Sequence, residues 1–438
     1  MIRYIDLRNY RCFTNLHFDF MSKNGIPLKF VVLYGENGSG KSNLLKVFEL
    51  LYDSFQTMNI RKAMMKIFEQ HPEPEYKNNL STTNYYTDIT RIIQNNKTIG
   101  SSGNMVIDIG FQLDGKNGSY VIEFDSDKIV YEKLEYTLTK NRGVYFELSQ
   151  DQFKINDLIF NDFRSDLLYI LKRYWGKHSA IALLNNARED FSDIFFEESV
   201  SSSFISVLDY LNSLYIYLAD NTSMNGIIES NNTLLLENFV SGTIPESNAH
   251  KLDATELVIK KYLKSIYRDI TDVFYKKEHG ENSIKYNLYF KKLISNEERT
   301  IPYSDESCGT QNLLYLLPFF ISSTKNHVVA IDEIDNGIHD ILFLNLINAV
   351  HKSINGQLII STHNTMLLNE YDFKDSFFFI EVDDRGNRNI NSPSDYGYRI
   401  QPDSNVAANY LKGRFKGIPW SEMNIDFQDI ANVENTAF

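Results

Sequence analysis

The sequence predicts an α/β fold with a mixed sheet, an antiparallel β lobe and a helical insertion, and three observations point there. The first is Gly35-Glu36-Asn37-Gly38-Ser39-Gly40-Lys41-Ser42, which reads G-x-x-x-x-G-K-[ST]. The β-rich run 28–34 precedes it, and Leu44, Val47, Phe48, Leu51 and Phe55 follow at helical spacing. Strand, glycine loop and helix form the arrangement that surrounds a phosphate with backbone N–H groups at a positive helix end. The second is residues 304–390, where apolar runs of strand length alternate with helical periods, the pattern of a mostly parallel sheet. The third is the apolar strand 327–331, which ends in Asp332-Glu333, a carboxylate pair where open α/β sheets bind ligands.

Taken in order, 1–20 reads as strand, polar corner and strand, with Leu16, Phe18 and Phe20 alternating with polar residues. The phosphate-loop strand and its helix follow, up to about residue 55. Residues 56–104 are rich in Asn, Thr, Ser and Tyr, with Pro72 and Pro74, and read as a short helix over 60–68 and a long polar loop over 79–104. Strands are predicted over 105–113, 119–124, 133–139 and 144–148, with a Gly/Asn turn at 115–118. Helices are predicted around 158–174, 205–218 and 257–274. The last carries Lys260, Lys261, Lys264 and Arg268, a local basic face that a nucleic acid could contact, although a solvated helix face is the more common reading of such a run. A strand returns over 284–303. Then come a helix over 310–320, the strand 327–331, a helix over 342–353 and strands over 357–361 and 377–382. The expected division is a split nucleotide-binding domain (1–55 and 301–438), a polar loop plus antiparallel β lobe (56–149) and a mainly helical insertion (150–300). No heptad run is sustained, so no long coiled-coil arm is expected.

Composition bounds the function. The chain has 438 residues, 43% hydrophobic and 23% charged, with a net charge of −13. That excludes a surface that is basic throughout, though not a local basic groove. Cys12 and Cys308 stand far apart, without metal-like spacing, which suits a reducing compartment. The first residues are polar and charged, and no run of 18 apolar residues occurs, so a cytoplasmic protein with no membrane partner is expected.

The candidate site follows from the chemistry of the motifs. Gly35, Asn37, Gly38 and Gly40 shape the cradle, with Asn43 behind it on the helix. Lys41 is placed to reach the β- and γ-phosphates of ATP, and Ser42 with Asp332 to hold Mg²⁺. Glu333 is the candidate general base for water, and His363, ending the next strand, can contact the γ-phosphate. Ser307-Cys308-Gly309-Thr310 opens a helix and offers a second anion site, which suggests a pocket completed by another chain. Glu381 and Asp383 share a strand, but Asp383-Asp384-Arg385-Gly386 reads as a plain strand-end turn.

Arg11 within Asn9-Tyr10-Arg11-Cys12-Phe13, the 35–42 loop, Ser307–Thr310, Ile331-Asp332-Glu333 and Thr362-His363 together resemble the ABC-type ATPases of the SMC/RecF/RecN kind. More narrowly, the set is similar to the AAA-type ATP-binding proteins of bacterial phage-defence operons, such as RloA, AriA and the Septu ATPase. Asp332-Glu333-Ile334-Asp335-Asn336-Gly337-Ile338-His339 resembles that group's extended Walker B, and Tyr410-Leu411-Lys412-Gly413-Arg414-Phe415-Lys416-Gly417-Ile418-Pro419 resembles the tail of its RloA-like members. The resemblance implies an ABC-type P-loop ATPase head that dimerises, or forms a higher homo-oligomer, around ATP and Mg²⁺. It implies that Arg11 contacts the nucleotide, that Ser307 and Gly309 act across the interface and that His363 is the switch histidine. It further implies a sensor and regulator of a phage-defence complex, acting on a separate effector such as a nuclease, with no nuclease in this chain. A DNA-repair or recombination ATPase that clamps DNA directly is the alternative. Cys308 stands where ABC transporters have glycine, Asp340 follows His339 where relatives often have proline, and Gln112 is the one candidate for a glutamine loop.

Overall fold

The computed structural model describes residues 1–70, 88–138, 141–190, 193–218, 235–418 and 427–428. Its nucleotide-loop sheet has six strands, in the order β17-β16-β3-β15-β14-β9. These are β3 (Phe30–Gly35), β9 (Leu214–Tyr217), β14 (Val328–Ile331), β15 (Gln357–Ser361), β16 (Phe377–Val382) and β17 (Arg388–Asn391). All neighbours run parallel except β17, which returns antiparallel along β16. The central strands are apolar throughout because both faces are covered. Along β3 the period of two is visible in three dimensions: Val31 and Leu33 enter one core, and Phe30, Val32 and Tyr34 enter another.

The first core lies between this sheet and a second, antiparallel one of seven strands, ordered β2-β1-β4-β5-β6-β7-β8. They are β1 (Ile2–Tyr10), β2 (Phe13–Asp19), β4 (Met105–Leu113), β5 (Lys116–Phe124), β6 (Ile129–Thr137), β7 (Arg142–Ser149) and β8 (Phe153–Ile155). Helix α1 (Lys41–Gln70) runs in this space, its Phe55 ring 5.5 Å from Tyr120 of β5. Helices α2 (Ile89–Asn96), α3 (Arg164–Tyr174), α4 (Ala180–Asp190) and α5 (Ser202–Asn212) close the same core. The second core, on the other sheet face, is covered by α7 (Cys308–Ser323) and α8 (Asp340–His351). A third core joins α6 (Ala249–Ile266) to the strands β10 (Ser241–Pro245), β11 (Ile270–His279) and β12 (Ser283–Ile294), and takes Leu314 and Leu317 from α7; β13 (Glu297–Pro302) pairs with β12.

The α/β class, the mixed sheet and the antiparallel lobe are therefore present. Several element assignments are corrected. The short helix over 60–68 is the end of α1. Of the polar loop over 79–104, residues 89–96 are helical and 79–87 lie outside the described residues, as do Pro72, Pro74, Thr139 and Pro419. The 158–174 helix is split: a turn of helix, Asp157–Phe160, and a 3₁₀ turn precede α3. The 205–218 period breaks at Ser213, and Leu214–Tyr217 becomes an edge strand beside β14. The 257–274 helix ends at Ile266, and Ile270 onward pairs with β12. The stretch 150–300 thus carries strands as well as helices. The first two strands share a sheet with the β lobe, since β1 pairs directly with β4.

Candidate nucleotide-binding site

The 35–42 loop leaves β3 at its carboxyl end and enters α1 at Lys41. Gly38 and Gly40 have φ of +80° and +114°, which side chains with a Cβ resist. Gly40 also has no spare room: a Cβ there would lie 3.0 Å from both Cys12 Sγ and the Phe13 ring. Nothing lies within 4 Å of the same position on Gly38, whose side of the loop is open. Ser39 Oγ is buried with no hydrogen-bond partner. Lys41, only 6% exposed, donates to the carbonyls of Gly35 (2.7 Å) and Glu36 (3.1 Å), which leaves one of its three N–H bonds. Burial lowers its pKa, and Asp332, Glu333, Glu36 and Asp335 oppose that shift by their charge.

Three of those acids, Asp332, Glu333 and Asp335, follow the end of β14, and Glu36 belongs to the loop itself. Asp332 is 3% exposed, and its Oδ1 accepts a short hydrogen bond from Ser361 Oγ, at the end of the adjacent β15. The same Oγ accepts the backbone N–H of Glu333 at 2.8 Å. Glu333 sits at φ +46°, a left-handed conformation that costs a residue with a Cβ on the order of 1–3 kcal/mol. Ser361 and the following turn, in which Asn336 N–H donates to the Glu333 carbonyl at 3.0 Å, hold it there. His363 stands two residues beyond Ser361 at the exposed rim. Its pKa lies below the ordinary histidine value, first because flanking protein excludes water from the ring and second because Lys41 is near; Asp335, Glu333 and Asp332 pull the other way. Lys41, Asp332, Glu333, Asp335 and His363 therefore share one electrostatic site. A pocket of about 410 Å³ adjoins this site at His363, with Glu36, Asn37, Tyr410, Leu411 and Ile418 also in its lining.

The remaining candidates are placed as follows. Ser42 is in the first turn of α1, beside Lys41. Asn43 faces the β1–β2 corner, its Nδ2 3.2 Å from Cys12 Sγ. Arg11 occupies that corner at φ +46°, and its Nε donates to Asn96 Oδ1 at 2.7 Å. Ser307 caps α7, its Oγ accepting from Thr310 N–H at 3.2 Å. Gly309 is required by packing, since a Cβ would lie 2.5 Å from the Gly337 carbonyl oxygen. Among the described residues no hydrogen bond joins Ser307 or Gly309 to the 35–42 loop of the same chain. Gln112 lies at the Ile2 end of β1, a strand length from the corner that abuts the loop, and donates to Asn117 at 3.2 Å. Asp383 closes the turn before β17, accepting from the backbone of Arg385 and Asn387 at 2.9 and 2.8 Å. Among the described residues no group of three or more His, Cys, Asp or Glu side chains could hold a metal ion by itself. Ser361 and Asp335 were not among the site residues expected from sequence, and no spacing rule marks a serine at a strand end.

A family model described as "AAA domain, putative AbiEii toxin, Type IV TA system" matches residues 30–369, from the first residue of β3 to the turn after His363. The chain belongs to this family. The chain thus carries an AAA domain whose phosphate-loop strand lies inside a mostly parallel α/β sheet. Solved structures similar to this AAA-family chain include an SMC head bound to the C-winged helix domain of ScpA, at 13% identity over 89% of this chain and 97% of that one, with a TM-score of 0.44. An SMC head domain from Thermotoga maritima is similar at 11% identity over 89% and 98%, with a TM-score of 0.37. An SMC head domain with an extended coiled coil, bound to the C-terminal domain of ScpA derived from Pyrococcus furiosus, is similar at 14% identity over 89% and 95%, with a TM-score of 0.38. No curated protein matches the sequence. Among the described residues no helix is long and apolar enough to cross a membrane.

Proposed function

We propose that the chain hydrolyses ATP to ADP and phosphate, and that each site is completed by Ser307 and Gly309 of a second copy. One observation carries the reading: the buried Lys41, the Asp332-Glu333 pair and His363 converge on a loop whose glycines keep a cradle clear. The residues fit an ATP polyphosphate and Mg²⁺. The orphaned Ser39 Oγ, the spare Lys41 N–H and the open side of Gly38 supply room and donors, and the Ser42 hydroxyl and the buried Asp332 carboxylate are hard oxygen ligands. Mg²⁺, when bound, neutralises charge on the transferring phosphoryl group. The chain's own residues do the rest. Lys41 holds the phosphates, Glu333 accepts a proton from the attacking water, and His363, whose pKa is lowered by its surroundings, offers a ring nitrogen at the γ-phosphate rim.

Glu333→Gln is expected to keep nucleotide affinity while turnover falls by about 10²–10⁴-fold, the usual share of a general base. Lys41→Ala is expected to lose binding itself. Release of phosphate and titration with a fluorescent ATP analogue separate the two. Unchanged turnover in Glu333→Gln would remove the role assigned to it.

The biological output we propose is conformational: a sensor and regulator that restrains or activates a separate effector, such as a nuclease, during phage infection. The family's own description as an AAA domain of toxin–antitoxin type is compatible with such a role. Direct DNA clamping loses part of its motive. Lys260 is paired with Asp272 at 2.5 Å, and Lys264 donates to the Thr271 carbonyl at 3.0 Å, so half of the basic face is spent within the chain. Co-purification of a neighbouring gene product with the ATP-loaded Glu333→Gln variant, set against DNA-stimulated hydrolysis, distinguishes the two roles.

A further inference from the structure

We infer that Arg388, at the start of the edge strand β17, is a positioning residue for the phosphate loop. Its guanidinium donates from Nε to the Ser39 carbonyl at 3.1 Å, and from Nη1 to the Cys12 carbonyl at 3.2 Å and the Gly386 carbonyl at 2.9 Å. One planar fork thus ties together the loop, the β1–β2 corner and the turn before β17, across 349 residues of chain. The Ser39 carbonyl and the Gly40 N–H belong to the same trans peptide and point in opposite directions. Holding that carbonyl outward on Arg388 therefore aims the Gly40 N–H into the cradle. The Arg388 stem also lies beside Gly40, whose φ is +114°: a Cβ there would lie 3.4 Å from Arg388 Cδ. Three of the five guanidinium N–H bonds are used on carbonyls, so the group acts on phosphate through the loop it orients. Its charge also raises the positive potential behind the cradle, and hydrogen bonds from a charged donor are roughly twice as strong as neutral ones.

This inference rests on the proposed ATP site, and its test keeps the two apart. The full-length chain is compared with Arg388→Ala, Arg388→Lys and Lys41→Ala. The first readout is hydrogen exchange of the peptide spanning 36–42 without nucleotide. The second is affinity for a fluorescent ADP, with and without millimolar guanidinium chloride. Arg388→Ala is expected to exchange faster over 36–42 and to bind ADP roughly tenfold or more weakly. Added guanidinium should recover part of that affinity, and Arg388→Lys should fall between Ala and wild type, with thermal unfolding little changed. Wild-type exchange and wild-type affinity in Arg388→Ala would overturn the inference and leave the ATP reading standing. So would a loss that guanidinium does not relieve and that tracks a lowered unfolding temperature. Equal ADP binding by wild type and Lys41→Ala would instead overturn the ATP reading.

Discussion

At the scale of single residues, the site is a set of short local signals tied together by contacts that no local pattern announces. The glycines, Lys41, Ser42 and Asp332-Glu333 are legible because the chemistry demands those residue types at fixed spacing beside a strand end. Ser361 is not, because a buried serine at a strand end carries no spacing rule; only the β14–β15 register places its hydroxyl between Asp332 and the Glu333 N–H. Its removal should be felt in chemistry more than in binding. Ser361→Ala leaves the Glu333 N–H and the buried Asp332 carboxylate short of a partner, an effect of about 1–3 kcal/mol on the geometry of that pair. The expected result is a fall in kcat larger than any rise in KM, measured by phosphate release over a range of ATP concentrations. A variant with wild-type kcat would show that the turn holds Glu333 without the serine.

Elements were read well where one segment sufficed and poorly where pairing decides. The parallel strands β3, β14 and β15 are continuous apolar runs and stand out. Leu214, Tyr215 and Leu218 continue the helical spacing of Leu208 and Leu211, yet Leu214–Tyr217 is a strand because β14 offers it a parallel edge. Ile270–His279 likewise forms a long ladder with β12, which helical periodicity cannot foresee. The antiparallel sheet and the helices are joined by a buried acid, Glu132 of β6. Its carboxylate accepts from Tyr120 (2.8 Å), Trp175 (2.8 Å) and the backbone N–H of Ala180 at the start of α4 (2.8 Å). Burial nevertheless pushes its pKa up to about 7 from its ordinary 4.5, since no cation is present among these partners to offset the lost hydration. The folded state then keeps a proton that the unfolded chain releases. Stability from this group is full below about pH 4.5 and is lost as the pH rises through about 7. Glu132→Gln presents an amide donor to a ring of donors and should lower stability by about 1–3 kcal/mol. It should also flatten the pH dependence. Unfolding temperatures of both proteins across that window should converge towards high pH, and a constant gap would contradict the assignment.

For the whole molecule, the layering explains why the ends of the chain meet. The 35–42 loop is bordered by the β1–β2 corner, by Arg388 and by Gly417, where a Cβ would lie 3.5 Å from Gly35 Cα. Among the described residues, the long stretch between β3 and β14 returns to the same parallel sheet only through β9. Ser307 caps this sheet's helix α7 and Gly309 lies in its first turn; their contacts are with Thr310 and Gly337, and among the described residues no hydrogen bond joins them to the loop of their own chain. A complete site on this account needs two copies, and mixing two inactive variants tests that most directly. Lys41→Ala disables the loop, and Ser307→Arg, at an exposed cap, disables the surface offered to the partner. Each homodimer carries two defective sites, whereas a mixed dimer places both defects in one site and leaves the other whole. The account predicts that each variant alone is inactive and that an equimolar, re-equilibrated mixture regains about a quarter of wild-type ATP hydrolysis, as random pairing of symmetric dimers dictates. A mixture no more active than the two variants measured separately would contradict it.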